Sequence, residues 1–229
     1  MWWKRPVADG RRGRIEHDQT MRRTLKEYRS IVLLPEDVPA GGDFAGLFGR
    51  AGPFHIEIGS GKGTFLVQEA QAHPEVNYLG IEWANKFYRY AADRMGRWGL
   101  LNVRIIRADA KVFVREHVAP RSVDCFHIYF PDPWPKKRHH KRRFVQKDNM
   151  EMLVARLKPD GRIQLTTDHD EYFAQMQQVM CALRDELEEV EFVRPAGATN
   201  GEWTGTNYER KYIRDRRTIH ALAFRKRRG

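Results

Sequence analysis

The chain has 229 residues, with 41 Lys and Arg against 30 Asp and Glu, a formal net charge of +11 and a sequence pI of about 9.8. That length suits one well-buried α/β domain, and the charge points to a polyanion, nucleic acid first, as partner. Two cysteines, Cys125 and Cys181, cannot build a disulfide framework or a zinc cluster, and the longest apolar run falls far short of the roughly 20 residues of a membrane span.

The charge is unevenly placed. Residues 1–30 carry +5, residues 210–229 carry +8, and the remaining 179 sum to −2. Trp2-Trp3-Lys4-Arg5-Pro6 lacks the apolar middle of a signal peptide, and Asp9, Glu16 and Asp18 argue against a transit peptide, so a cytoplasmic protein is expected. Residues 1–50 show Gly, Pro and Arg clusters and little periodicity. They read as a basic arm with a helix near Met21–Tyr28, and order is expected to begin near Pro53, with the main domain over 51–229.

From Pro53 onward, strand-like and helix-like segments alternate. Phe54–Ile58 leads to a helix from Gly63, Asn77–Glu82 to one from Lys86, and Val103–Ala108 to a short helix at Lys111–His117. Val123–Phe130 is apolar without alternation, as in a parallel strand covered on both faces, and a helix over Phe144–Leu157 follows. A turn at Lys158–Gly161, a strand at Arg162–Thr167, a helix at Glu171–Leu187, a strand at Glu189–Val193 and a closing strand at Thr218–Phe224 complete the chain. Such repetition implies an α/β, Rossmann-like parallel sheet with helices on both faces. Both cysteines fall in apolar or helical patterns and read as small core residues.

Glu57-Ile58-Gly59-Ser60-Gly61-Lys62-Gly63 occupies the first strand-to-helix turn, where glycines let backbone pass under a ligand. A P-loop is excluded because Ile56 and Gly63 stand where Gly and Ser/Thr are required; a dinucleotide fingerprint fails at Thr64. Glu82 ends the second strand, where a carboxylate accepts bonds from ribose hydroxyls. Asp109 follows the third strand, as partner for an adenine amino group or as a helix cap. Asp132, held between prolines, ends the fourth, so Glu57, Glu82, Asp109 and Asp132 share the carboxyl edge where such sheets bind ligands. Six Lys/Arg and two His follow at once in Lys136–Arg143, a solvated charge run or an anion-binding surface. Asp168, on the same rim, has a helix cap as its alternative. Thr206-Asn207-Tyr208-Glu209 near Trp203 could stack on a base or simply start a helix.

In this order and spacing, Glu57–Gly63, Gly80–Glu82, Arg107–Ala110, Phe130–Arg143, Thr166–His169 and Thr206–Glu209 resemble the bacterial tRNA (guanine-N7-)-methyltransferase family, over about residues 53–225. The resemblance implies a class I methyltransferase sheet of seven strands with the last one antiparallel, and S-adenosyl-L-methionine as cofactor. It implies cofactor contacts from Glu57, Gly59, Gly61, Glu82, Asp109 and Asp132, with Asp132 the catalytic residue and no metal. It further implies substrate contacts from Lys136, Asp168, Thr206, Asn207, Tyr208 and Glu209, and tRNA contacts from Arg138, His139, His140, Lys141, Arg142 and Arg143. The family's target is a guanine in the tRNA variable loop; no membrane or DNA partner is implied. Tyr208 stands where Phe is usual. A non-catalytic RNA-binding module would explain the charge but not four acids on one rim. A methyltransferase for an exocyclic amine expects consecutive prolines where Pro133-Trp134 stands.

Overall fold

The computed structural model describes residues 24–38, 42, 44–199 and 201–228. Its strands are β1 (Val32–Leu33), β2 (Phe54–Ile58), β3 (Asn77–Ile81), β4 (Val103–Ile106), β5 (Val123–Tyr129), β6 (Leu157–Thr167), β7 (Leu187–Val190) and β8 (His220–Lys226). They form one sheet in the order β1-β4-β3-β2-β5-β6-β8-β7. Pairing is parallel from β1 to β6, and β8 lies antiparallel between β6 and β7. The helices are α1 (Phe44–Phe48), α2 (Thr64–Ala72), α3 (Asn85–Arg97), α4 (Ala110–His117), α5 (Lys147–Arg156), α6 (Asp170–Cys181) and α7 (Asn207–Arg214).

Two apolar clusters cover the two faces of the sheet. On one face Ile56, Phe126 and Ile128 meet α1, α4, α5 and α6; on the other Tyr78, Val103 and Ile105 meet α2 and α3. The strand order reverses between β2 and β5, and the carboxyl ends of those two strands open the crevice in which this class of sheet binds ligands.

The described residues hold eight strands rather than seven, because β1 adds to the edge beside β4. Order therefore starts well before Pro53: Ile31, Leu33, Val38, Phe44 and Phe48 are all buried, and the Phe44 ring stacks on Phe54 at 4.6 Å. Thr24–Tyr28 is not helical, and the rest of the expected arm lies outside the described residues. The Lys158–Gly161 turn is absorbed as a bulge in β6. Val123 pairs with Leu157 and Cys125 with Arg162, so four residues face one, and Asp160 takes a φ of 65° there. Helix α6 ends at Cys181, which is exposed rather than in the core, while Cys125 is buried.

Strand β5 is covered on both faces, but one face is polar. His127 joins Tyr129 Oη at 2.8 Å and His55 Nδ1 at 3.2 Å, while Gln164 Nε2 donates to Tyr129 Oη and Val193 N donates to Gln164 Oε1. This closed chain satisfies the buried rings, and burial lowers the pKa of His55 to about 4 and that of His127 well below its usual value. Cys125 Sγ lies within 4.8 Å of both imidazoles.

Candidate active site

The loop from Ile58 to Thr64 is shaped by its glycines. Gly61, at φ 52°, turns its amide onto Glu82 Oε2 at 2.7 Å, and Ala84 N binds Oε1 at 2.7 Å. Glu82 thereby joins the glycine loop to the start of α3. A side chain on Gly63 would place its Cβ 3.0 Å from that of Ala91 on α3, and at φ 67° it would be strained whatever the space.

Beside this loop lies a cavity of about 380 Å³, lined by Glu57, Gly59, Lys62, Phe130, Asn207 and Tyr208, among others. Glu57 is buried, and its Oε2 makes no hydrogen bond. Burial, reinforced by the carboxylates of Glu82 and Glu69, raises its pKa well above 4.5. Ser60 Oγ, also on the cavity wall, is likewise buried without a partner. A Cβ at Gly59 would meet nothing within 4 Å, so the space over the loop is open.

Asp109 caps α4, with Oδ1 accepting from Lys111 N at 2.8 Å and Val112 N at 3.3 Å; its other oxygen stays free. Asp132 follows β5 on a loop flanked by two left-handed residues, Phe130 (φ 50°) and Trp134 (φ 42°). For non-glycine residues such backbone costs on the order of 1–2 kcal/mol each, and it persists only where surrounding contacts enforce it. The Asp132 carboxylate is exposed and makes no hydrogen bond or ion pair among the described residues. Burial, then the charges of Glu82 and Asp132, push up the pKa of the Tyr208 hydroxyl.

Lys136 is exposed, and Lys137–Arg142 winds into a 3₁₀ helix. Arg138, Lys141 and Arg142 are exposed, while His139 and His140 are half-buried against Trp134 and Glu171 respectively. Arg142 stacks over Trp134 at 4.9 Å. Arg143 departs from the expectation of an RNA contact: its side chain is 1% exposed, with its guanidinium turned into the protein.

Asp168 pairs with Arg217 at 2.6 Å, and the cap on α6 is His169, whose Nδ1 accepts from Tyr172 N. Thr206 caps α7 by accepting from Glu209 N. Glu209 is fully buried and does not face the cavity. Its oxygens accept from the amides of Trp203, Thr204 and Gly205 and from the Thr204 hydroxyl. The Thr-x-x-Glu spacing is that of a capping box, but Glu209 holds the amides ahead of Thr206 and not that of Thr206 itself, and so serves the loop. Asn207 remains on the cavity wall, held to Thr64 Oγ1 at 3.0 Å, and Tyr208 lies over Gly61. Lys211 and Arg214 also line the cavity; their helical spacing from Asn207 is the signal that would have found them.

A family model described as "Putative methyltransferase" fits residues 51–222. A tRNA (guanine-N(7)-)-methyltransferase of Alkalilimnicola ehrlichii is 36% identical over 98% of this chain and 94% of its own length. The chain belongs to the tRNA (guanine-N7-)-methyltransferase family. A Nitrosomonas eutropha enzyme of the same name is 44% identical over 57% of this chain, and the match spans 58% of that relative. A Halorhodospira halophila one is 38% identical over 82% of each chain. The fold of the methyltransferase is shared, at 13% identity, with the 16S rRNA methyltransferase KamB, with a TM-score of 0.58 over 83% of this chain and 99% of that one. No helix among the described residues is long and apolar enough to cross a membrane.

Proposed function

We propose that this methyltransferase moves a methyl group from S-adenosylmethionine to N7 of a guanine in tRNA, in the cytoplasm. The observation that carries the reading is the unpartnered Asp132 carboxylate, on a loop with left-handed residues that runs from Phe130 of the cavity wall to an exposed cationic turn.

The residues present fit the cofactor. The orphaned oxygen of Glu57 suits an ammonium group, the open floor at Gly59 leaves room for an amino-acid chain, and the free oxygen of Asp109 suits an adenine amino group. Glu82 retains lone pairs for ribose hydroxyls beyond the two amides it holds. When bound, S-adenosylmethionine supplies a methyl carbon activated by a sulfonium.

Guanine N7 already carries an in-plane lone pair, so no general base is required and the protein acts by alignment. Transfer makes the base cationic, and a fixed carboxylate at Asp132 favours that developing charge. Tyr208, exposed over the glycine loop, offers its face to a base. N7 lies on the deep major-groove edge of A-form RNA, so the guanine must come from a loop or be turned out. Lys136 and the turn beyond it hold the flanking phosphates.

The test is transfer from labelled cofactor to unmodified tRNA, with product nucleosides identified by mass. Wild type should make 7-methylguanosine. Asp132→Asn should lower kcat by roughly 100- to 1,000-fold while tRNA binding is kept. A different methylated nucleoside, or no transfer by wild type with tRNA bound, would overturn the reading.

A further inference from the structure

Of the six Lys and Arg in the run Lys136–Arg143, Arg143 alone is buried. Its Nε donates to the Pro133 carbonyl at 2.7 Å, and Nη1 donates to Gln175 Oε1 at 2.6 Å. Nη2 lies 3.1 Å from His140 Nε2 and 3.8 Å from a Glu171 oxygen, and the guanidinium covers the Tyr172 ring at 4.8 Å. Tyr172 and Gln175 lie on α6, and the same two side chains also bind the backbone of Val145, N–H and carbonyl respectively.

The Pro133 carbonyl belongs to the peptide unit that sets φ of Trp134, one of the two left-handed residues beside Asp132. A hydrogen bond on that oxygen fixes the plane of this peptide. We propose that Arg143 is a positioning residue: it clamps the Asp132 loop to α6 and so aims the carboxylate, without touching RNA. This rests on the methyl-transfer reading for its catalytic consequence, but the clamp itself is a property of the free protein.

Arginine is specific for the task. Its planar fork carries several N–H vectors in fixed directions, so one side chain reaches the loop, the helix and the 3₁₀ turn together; an ammonium reaches fewer of them with weaker direction. A misplacement of about 1 Å at a reacting group can cost on the order of 100-fold in rate, which is the size of effect a released loop should show.

The experiment compares full-length Arg143→Met, Arg143→Lys and Gln175→Leu with Arg142→Ala. It measures kcat, tRNA affinity against salt, and amide hydrogen exchange in peptides covering residues 131–142. Arg143→Met should lower kcat by about 100-fold, with tRNA affinity and its salt slope unchanged. Exchange over 131–142 should rise while α5 and α6 stay protected. Arg143→Lys should recover part of the loss, and Gln175→Leu, which leaves the Pro133 bond in place, should show a weaker form of it. Arg142→Ala should instead weaken tRNA binding and reduce the salt slope. If Arg143→Met weakens tRNA binding with kcat intact, Arg143 is an RNA contact and the proposal is wrong. Unchanged exchange over 131–142 also overturns it. Should Arg143→Met fail to fold, the lysine and Gln175 variants decide the matter, and wild-type kcat and exchange in both would sink the proposal. Absence of transfer by wild type would fault the functional reading alone, since hydrogen exchange still decides the clamp.

Discussion

Glu57 should make the free protein's stability depend on pH in a way that a single substitution removes. Its carboxyl is buried without a partner for Oε2, and burial, then Glu82 and Glu69, hold its pKa well above 4.5. A raised folded-state pKa means that the native protein keeps a proton the unfolded chain has released. Its stabilising contribution is full below pH 4.5 and is lost as pH rises toward the folded value. Each pH unit in that window costs about 1.4 kcal/mol for one proton. Glu57→Gln keeps the shape and abolishes the ionisation. As pH rises above 4.5 its stability relative to wild type should therefore improve, by at most about 1.4 kcal/mol per pH unit, or roughly 3–6 °C in Tm for a chain of this size. Thermal melts of both proteins without cofactor at pH 5.0, 5.5 and 6.0 provide the measurement. The absolute offset depends on how the amide fits, so the slope is the quantity to read. A difference in Tm that does not change with pH would refute the reasoning. Saturating S-adenosylmethionine should then raise the Tm of wild type more than that of Glu57→Gln, because an ammonium beside Glu57 favours the ionised form.

Glu209→Gln should cost roughly 2–4 kcal/mol, since an amide NH₂ would be turned toward backbone donors in a buried loop; a urea midpoint equal to wild type would show that the loop does not depend on it. Phe44→Ala should cost about 3–5 kcal/mol, because the ring is buried and stacked on Phe54 in β2. A loss below about 1 kcal/mol in chemical denaturation would return residues 44–48 to the status of an appended arm.

From Pro53 onward the strands and most helices were legible because each carries its period and its turn residues, and the four rim acids could be placed by topology alone. The segment before Pro53 was not. Its strand has two residues and its helix five, too short for periodicity to register, and Phe44 and Phe48 belong to the core only through tertiary contact. The Lys158–Gly161 stretch has turn chemistry, yet β5 and β6 resume pairing on either side of it. Arg143 was concealed differently. Charge runs are read as solvated, and the cue that one member turns inward lies at Tyr172 and Gln175, about thirty residues away. Likewise Asp168 read as a rim acid with a helix cap as its alternative, but the neighbouring imidazole takes the cap and the acid pairs with Arg217.

The two margins of the sheet bear on how this protein keeps from sticking to copies of itself. A long bare strand offers unpaired amides and carbonyls on which another chain can template. Among the described residues, one margin is β1, only two residues long and closed off at once by the turn at Pro35–Asp37. The other is β7, which carries Glu188 and Glu189, with Glu188 paired to Arg225 on the adjacent strand. Brevity guards one side and a row of charged side chains the other. Guarded margins let copies of a cationic protein crowd without polymerising through their backbones.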